Sequence, residues 1–526
     1  MTHPKLVESM SKPAFYPHGP ESIELIQTHI SFIFIAGQRV YKVKKAVDFG
    51  FLDFTTLEKR KHYCNEELRL NRRLAPETYL DVVEISDNDS GHLVLGKGKK
   101  TVDYAVVMAK LPQDRMLKKL IGEKTFDPSI MSDVARKLAE FHRHAETGGK
   151  IDEIGGVETI RRNHKENFDQ TEKYIDRIIP GFQFHFLKAY IFDFMKRHHD
   201  LFCNRVKNHR IRDCHGDLHL DHICLANGIV IFDCIEFNER FRYEDVAAEV
   251  AFLAMDLDFN GYLDHSSHFV QAYIQYAGDH DISVLLPFYK CYYAYVRGKV
   301  TSFRSDDQAV NSVERENAAT DASRYFDLAY QYAARLERPT LIIMAGLMGT
   351  GKSVLARNLS SLLGAETIRT DVLRKELLDL PPTQRHHENY GEGIYTDEIT
   401  SKTYARALQW AEEKLRSGRS AIIDASFSKR EYRLKALETA SRLGADHFII
   451  ECVCHGDIVR ERLRNRLSDK SEASDGRWEI LETQNKIFDA VTEFTKKTHI
   501  VIDTSSADQR EMAGRAVYRI KVGKTK

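Results

Sequence analysis

Thr340-Leu341-Ile342-Ile343-Met344-Ala345-Gly346-Leu347-Met348-Gly349-Thr350-Gly351-Lys352-Ser353-Val354-Leu355 decides the fold of the C-terminal part of this chain. An apolar run from Leu341 to Ala345 has strand character. A glycine-rich loop follows at once, and Val354 and Leu355 then open a helix. Glycines let a backbone turn tightly and aim its N–H groups at phosphate oxygens, and a helix N-terminus adds partial positive charge. In such a loop Gly346, Gly349, Thr350 and Gly351 cradle the phosphates, Lys352 reaches the terminal ones and Ser353 ligates magnesium. The stretch therefore predicts binding of ATP, or another nucleoside triphosphate, together with Mg2+.

Outward from this loop, Glu337-Arg338-Pro339 marks a boundary, because Pro ends the preceding helical stretch. Beyond it, strands alternate with helices, with short apolar runs at Ala421–Ala425 and His447–Val453. That alternation predicts an α/β unit with a parallel sheet over 339–526. Asp371 follows the strand ending at Thr370 and is placed to take a hydroxyl proton, and Arg374 to hold an acceptor. An N-cap is the alternative role for Asp371. Asp424 ends another strand and is a candidate magnesium ligand. Arg462 and Arg466 share one helical face and Arg460 and Arg464 another, so a pair can cover a phosphate as a lid does. Ser468 to Arg477 reads as a mobile polar loop beside it.

These motifs, GLMGTGKS, TDVLRK and the arginine helix, resemble the small P-loop kinases that include gluconate kinase, chloramphenicol phosphotransferase, zeta toxin and the kinase part of polynucleotide kinase. The resemblance covers about Pro339 to Thr504. It implies phosphotransfer to a hydroxyl, with Asp371 as base and the lid arginines as phosphate clamps.

Upstream, residues 21–110 read as strand-rich with one helix, Phe54–Ala75. Ser31–Ile35 and Arg39–Val43 form a hairpin around Ala36-Gly37-Gln38. From Ser129 to Phe202 the pattern is helical, broken at Pro180-Gly181, with Phe182, Phe186, Tyr190 and Phe194 as a core stripe. A strand-loop-strand unit spans Ile211 to Phe237, and helices run from Glu244 to about Leu336. That unit carries Cys214-His215-Gly216-Asp217-Leu218-His219-Leu220-Asp221-His222 and Ile231-Phe232-Asp233-Cys234-Ile235-Glu236-Phe237.

The two segments resemble the HGDxxxxN and I-D-F/W elements of the aminoglycoside phosphotransferases, which have the protein-kinase-like fold. The resemblance implies an α+β kinase-like domain over 1–335, with Asp217 as base and Asp233 as metal ligand. It further implies Lys42 as the strand lysine that grips phosphates, with Lys44 and Lys45 as alternatives. Glu67 would be its ion-pair partner, with Glu66 as the rival, and Met108 to Leu111 the hinge beside the adenine. The family's Asn is His222 here, a poor magnesium ligand beside an oxygen donor. There is no Gly-rich loop between the first strands. A metal-hydrolase cluster of His215, His219, His222, Asp217 and Asp221 is a further reading of the same residues.

Bulk properties bound the rest. At 526 residues the chain exceeds one core. Lys+Arg and Asp+Glu both number 77, so no basic excess points to a nucleic acid. The eight cysteines form no C-x-x-C pair, so a structural zinc site is not indicated. The N-terminus carries no apolar signal stretch, and no run is long enough to span a bilayer. The expectation is a cytoplasmic, bifunctional kinase acting on a small hydroxylated molecule, with the oligomeric state open. Its rivals are a degenerate N-terminal pseudokinase that regulates the P-loop module, and a nucleic-acid 5′-end kinase.

Overall fold

The computed structural model describes residues 4–88, 91–123, 126–381, 384, 391–468, 478–506 and 508–522. The chain divides into two compact units, one of Met1–Glu172 with Phe194–Tyr325, the other of Lys173–Asp193 with Phe326–Lys526.

The first unit opens on six strands: β1 (Ile23–Gln27), β2 (Ser31–Ala36), β3 (Arg39–Lys44), β4 (Tyr79–Asp87), β5 (Leu93–Leu95) and β6 (Lys100–Ala109). Their order is β1-β2-β3-β6-β4-β5, and every pairing is antiparallel. One face buries Phe32, Phe34, Tyr41, Val43, Ala105 and Val107 with Leu6 and Met10. The other receives the helix Leu57–Asn71, whose inward residues Arg60, Cys64, Glu67 and Leu70 recur at helical spacing. This helix is shorter at both ends than the apolar spacing suggests. Thr56 caps its start by accepting from Lys59 N at 3.2 Å, and turns carry the chain from Arg72 to Pro76.

A helical part follows. Between two of its helices lie β7 (Ile211–Asp213), β8 (Ile223–Ala226), β9 (Gly228–Ile231) and β10 (Tyr243–Asp245). β8 and β9 form a hairpin, and β10 pairs with β7. The helix Val246–Phe259 is buried on nearly every side. Phe186, Tyr190 and Phe194 of the aromatic stripe are buried and Phe182 is half-buried, and the stripe serves two cores. Phe186 and Phe182 pack on Tyr330 in the second unit, whereas Phe194 stacks on Phe288 in the first, 4.8 Å between centroids.

The second unit is a parallel sheet of β11 (Thr340–Ala345), β12 (Ala365–Arg369), β13 (Ser420–Asp424), β14 (Asp446–Val453) and β15 (His499–Asp503). The order is β12-β13-β11-β14-β15, all parallel. Central β11 is wholly buried because helices cover both faces, which is why it reads as an unbroken apolar run. The strands on either side of β11 come from opposite winding directions, and ligands bind such sheets beyond the carboxyl ends of strands at that reversal. Among the described residues no helix is long and apolar enough to cross a membrane.

Candidate active sites

In the second unit the loop Gly346–Gly351 leaves β11 and feeds the helix Lys352–Leu363. Two glycines are sterically required. Gly346 has φ +130°, and a Cβ there would lie 2.4 Å from the Cys452 carbonyl oxygen; Gly349 has φ +77°, and a Cβ would meet Val459 at 2.8 Å. Among the described residues no side chain caps the helix start, which leaves its first amides available to an anion. Lys352 Nζ donates to the Leu347 carbonyl at 2.7 Å, and Thr350 Oγ1 to the same oxygen at 2.7 Å. Thr504, just after β15, donates from Oγ1 to the Thr350 carbonyl at 2.6 Å and so pins the loop from beyond the neighbouring strand.

Asp424 ends β13 and is buried. Burial pushes its carboxyl above the usual range, partly offset by a hydrogen bond from the Ser353 hydroxyl and by the charge of Lys352. Asp371 lies close enough to raise it further. Thus Lys352, Ser353, Asp371 and Asp424 meet at the ends of adjacent strands. Asp371 is not the N-cap; Arg369 holds that position, and Asp371 sits in the first turn of the helix Thr370–Glu376. Ser353 and Asp424 supply hard oxygen donors side by side, which fits magnesium.

The arginines are placed differently from the sequence expectation. Arg374 is turned inward, with Nη1 donating to the Ile394 carbonyl and to Thr400, both at 3.0 Å, and its guanidinium over Tyr395. That bonding shapes the wall of the site and leaves Nη1 committed to protein. Arg462 donates from Nη2 to the Thr504 carbonyl at 2.6 Å, and a Cβ on Gly351 would lie 3.3 Å from its Nη1. It braces the loop from beneath. Arg460 lies over the Trp478 ring, 4.3 Å from its centroid. The side chain of Arg466 and the loop after Ser468 lie outside the described residues.

The first unit gathers its own cluster. β3 presents Lys42 and Lys44 on one face, and Glu67 from the facing helix receives both, Lys42 at 2.8 Å and Lys44 at 2.6 Å. Lys42 also reaches Asp233 Oδ1 at 2.6 Å, and Lys44 pairs with Glu236. Lys44, the alternative to Lys42, thus shares its partner, and Glu236 lies in the quoted Ile231–Phe237 segment but was not singled out from the spacing. Glu66 points away and pairs with Arg69. Burial disfavours the charged lysines, but the carboxylates outweigh it and raise both. Asp233 has φ +65°, and its amide donates to the Tyr79 hydroxyl at 3.1 Å. The strained turn aims its carboxylate back at the lysines.

The His215-Gly216-Asp217 turn hangs on one buried carboxylate. The amides of His215 and Gly216 both donate to Glu249 Oε1 at 2.7 Å, while His142 Nε2 lies 2.7 Å from Oε2. Burial drives the His215 imidazole down to about 4. Asp217 and Asp233 are both held below the carboxylate range: burial opposes this, but His219 outweighs it at Asp217 and the Lys42 ammonium at Asp233. The His222 ring sits between the two acids, 3.6 Å from an oxygen of each. Asp221 is exposed and pairs with Lys118.

Fold and site together define a chain with a P-loop domain in its C-terminal part, and residues 341–491 match the family model described as an AAA domain. Over its length the chain is 32% identical to an uncharacterized protein of Mycobacterium tuberculosis across 459 residues, 86% of this chain and 88% of the relative. It belongs to the same family as that protein. A gluconokinase of Gluconobacter oxydans is 28% identical over 130 residues, 25% of this chain and 65% of the relative. Among solved structures, a gluconokinase from Sinorhizobium meliloti aligns at TM-score 0.25 and 20% identity, over 36% of this chain and 94% of its own. A choline/ethanolamine kinase family protein from Mesorhizobium loti aligns at TM-score 0.35 and 11% identity, over 62% of this chain and 99% of its own.

Proposed function

We propose that the chain is an ATP-dependent phosphotransferase that phosphorylates a hydroxyl of a small molecule at the P-loop of its C-terminal module. One observation carries this reading: an uncapped helix start at Lys352, with Ser353 bonded to Asp424 and with Asp371 beside them, at the carboxyl ends of parallel strands. The gluconokinase likeness of this region supports a small acceptor. The modules are taken as 1–335 and 339–526. Free thiols at all eight cysteines suit a reducing cytoplasm.

In this mechanism the loop amides and Lys352 hold the phosphates. Ser353 and Asp424 would hold magnesium, which when bound neutralises charge on the transferring group. Asp371 accepts the acceptor's proton. Arg374 positions the acceptor wall through Tyr395 and Thr400, and Arg462 keeps the loop in register. Catalysis comes from alignment and charge stabilisation more than from covalent chemistry.

The test is ATP consumption by the full chain against a panel of sugars and other polyols. Lys352→Ala should lower turnover on the order of 100-fold or more, and Asp371→Asn by about 100-fold or more, with the fold intact by circular dichroism. Unchanged turnover in Lys352→Ala would sink the reading.

A second reading concerns the first unit alone, as a regulator. The ion pair of Lys42 with Asp233 favours it, because a phosphate-gripping lysine and a metal acid there hold each other. Asp217→Ala that abolishes phosphorylation of an acceptor still turned over by Lys352→Ala would remove it. The residues here do not fit magnesium, since the expected second oxygen donor is an imidazole.

A further inference from the structure

The tautomer of His222 is fixed by its surroundings. Nδ1 lies 2.8 Å from the Asp217 carbonyl oxygen, which can only accept, so Nδ1 carries the hydrogen. Nε2 therefore presents a lone pair, and it faces Asp233 Oδ2 at 3.6 Å. The other oxygen of Asp233 is already taken by Lys42. Two electron-pair donors thus point at one another across a gap too wide for a hydrogen bond and without a proton to share.

That gap suits a metal ion. Ligand atoms about 2.1 Å from one tetrahedral ion stand about 3.4 Å apart. A ligating histidine characteristically donates its other ring N–H to a backbone carbonyl or carboxylate, which fixes its orientation. His222 already has that brace. His219 plays a different part, although Asp217, His219 and His222 offer atoms within 4.8 Å of one another. His219 Nδ1 accepts from the Asp221 amide at 3.3 Å, so its Nε2–H faces Asp217 Oδ2 at 3.6 Å. Its Nε2 therefore offers no lone pair toward the acids.

We propose that His222 Nε2 and Asp233 Oδ2 are the protein ligands of a divalent transition cation that accepts nitrogen as well as oxygen. Magnesium demands octahedral oxygen and dehydrates reluctantly, whereas iron, nickel and zinc suit imidazole, and manganese, though it favours oxygen, belongs to the same first-row series. The remaining positions would be filled by water or by phosphate oxygens. The inference deepens the reading of the first unit's site but does not depend on turnover there, because its test reads the metal itself.

The experiment uses the full chain with Mn2+ as the probe, followed by electron spin-echo envelope modulation. The P-loop pair Ser353 and Asp424 offers only oxygen, so nitrogen coupling to bound Mn2+ reports a histidine. Wild type should show nitrogen-14 modulation that survives a tenfold excess of Mg2+. His222→Asn should lose the modulation and bind Mn2+ at this site at least tenfold more weakly, and Asp233→Asn should lose it too, while His219→Gln keeps it. Bound Mn2+ without nitrogen coupling in wild type overturns the proposal. So does coupling that persists in His222→Asn, or full displacement by the Mg2+ excess. If His222→Asn fails to fold by circular dichroism, the wild-type coupling, the Mg2+ competition and Asp233→Asn still decide. The Lys352→Ala turnover test is untouched by any of these outcomes.

Discussion

The two sites hold cationic side chains in opposite conditions. In the first unit Lys42 and Lys44 are enclosed by Glu67, Asp233 and Glu236, so each ammonium already has protein carboxylates as partners. In the second unit Lys352 lies against a carbonyl of its own loop, and the phosphate cradle is built of backbone and glycine. A carbonyl is a weaker competitor for an ammonium than a carboxylate. A phosphate that reaches Lys42 must displace it from Asp233. The same difference sets how each site depends on its surroundings: one is held together by buried charge, the other by chain geometry.

Breaking the charge network gives the largest effect on stability. Glu67 is fully buried and serves both lysines. Glu67→Ala would leave two buried ammonium groups short of a partner, and such losses cost about 3–5 kcal/mol. Urea denaturation with hydrogen exchange read on the helix Leu57–Asn71 should show that loss, with β11 to β15 protected as before. Equal loss in both units would mean that buried charge does not distinguish them.

Acid sharpens it next. His164 is buried against Phe288 and Tyr292, its Nε2 has no hydrogen-bond partner among the described residues, and burial drives it down to about 3 from 6.5. Below pH 6.5 the unfolded chain takes up a proton that the folded chain refuses, so stability falls as pH drops toward 3. By pH 5 the loss is about 2 kcal/mol. His164→Phe should flatten the acid limb of the first unit's unfolding by that amount, measured by denaturant midpoints from pH 7 to pH 5. A parallel curve for the two proteins would show that this imidazole does not set the limb.

The second unit answers to smaller changes in geometry. Thr504→Val removes the hydroxyl that holds the Thr350 carbonyl at 2.6 Å. A lost hydrogen bond of this kind is worth about 1 kcal/mol, so ATP affinity should weaken about fivefold, read by calorimetry. Lys42→Ala should leave that P-loop affinity unchanged.

The sequence was most legible where local pattern and chemistry coincide. β11, its loop and the following helix are contiguous, and each requirement is met by neighbours in the chain. The hairpin β2–β3 and the core stripe were legible for the same reason, since period alone places them. The long-range parts were not. Thr504 reaches Thr350 only because β15 is the outer strand beside β14, which no local signal states; its place just after a strand end is the hint the sequence did carry. Helical spacing puts Arg462 on one face with Arg466, and Arg374 three residues after Asp371, but spacing cannot say that Thr504 and Ile394 supply carbonyls to Arg462 and Arg374. His222 was recognised as an exchange for Asn. Its tautomer needed the Asp217 carbonyl in place.

The smallest effect tests the choice between adjacent acids. Glu66 and Glu67 are one residue apart on a helix, so they face about 100° away from each other. Only one can meet β3. Glu66 pairs with Arg69 at 2.7 Å near the surface, its side chain 26% exposed, and such i,i+3 pairs contribute about 0.5 kcal/mol or less. Glu66→Ala should therefore shift the denaturation midpoint barely beyond error, whereas Glu67→Ala should shift it severalfold more. Raising the salt concentration should erase the Glu66 effect and spare the Glu67 one, because exposed charge is screened and buried charge is not. Two glutamates of equal weight would mean that the helix is rotated from its described face, and with it the pairing of Lys42 and Lys44 on which the charge-locked site is built.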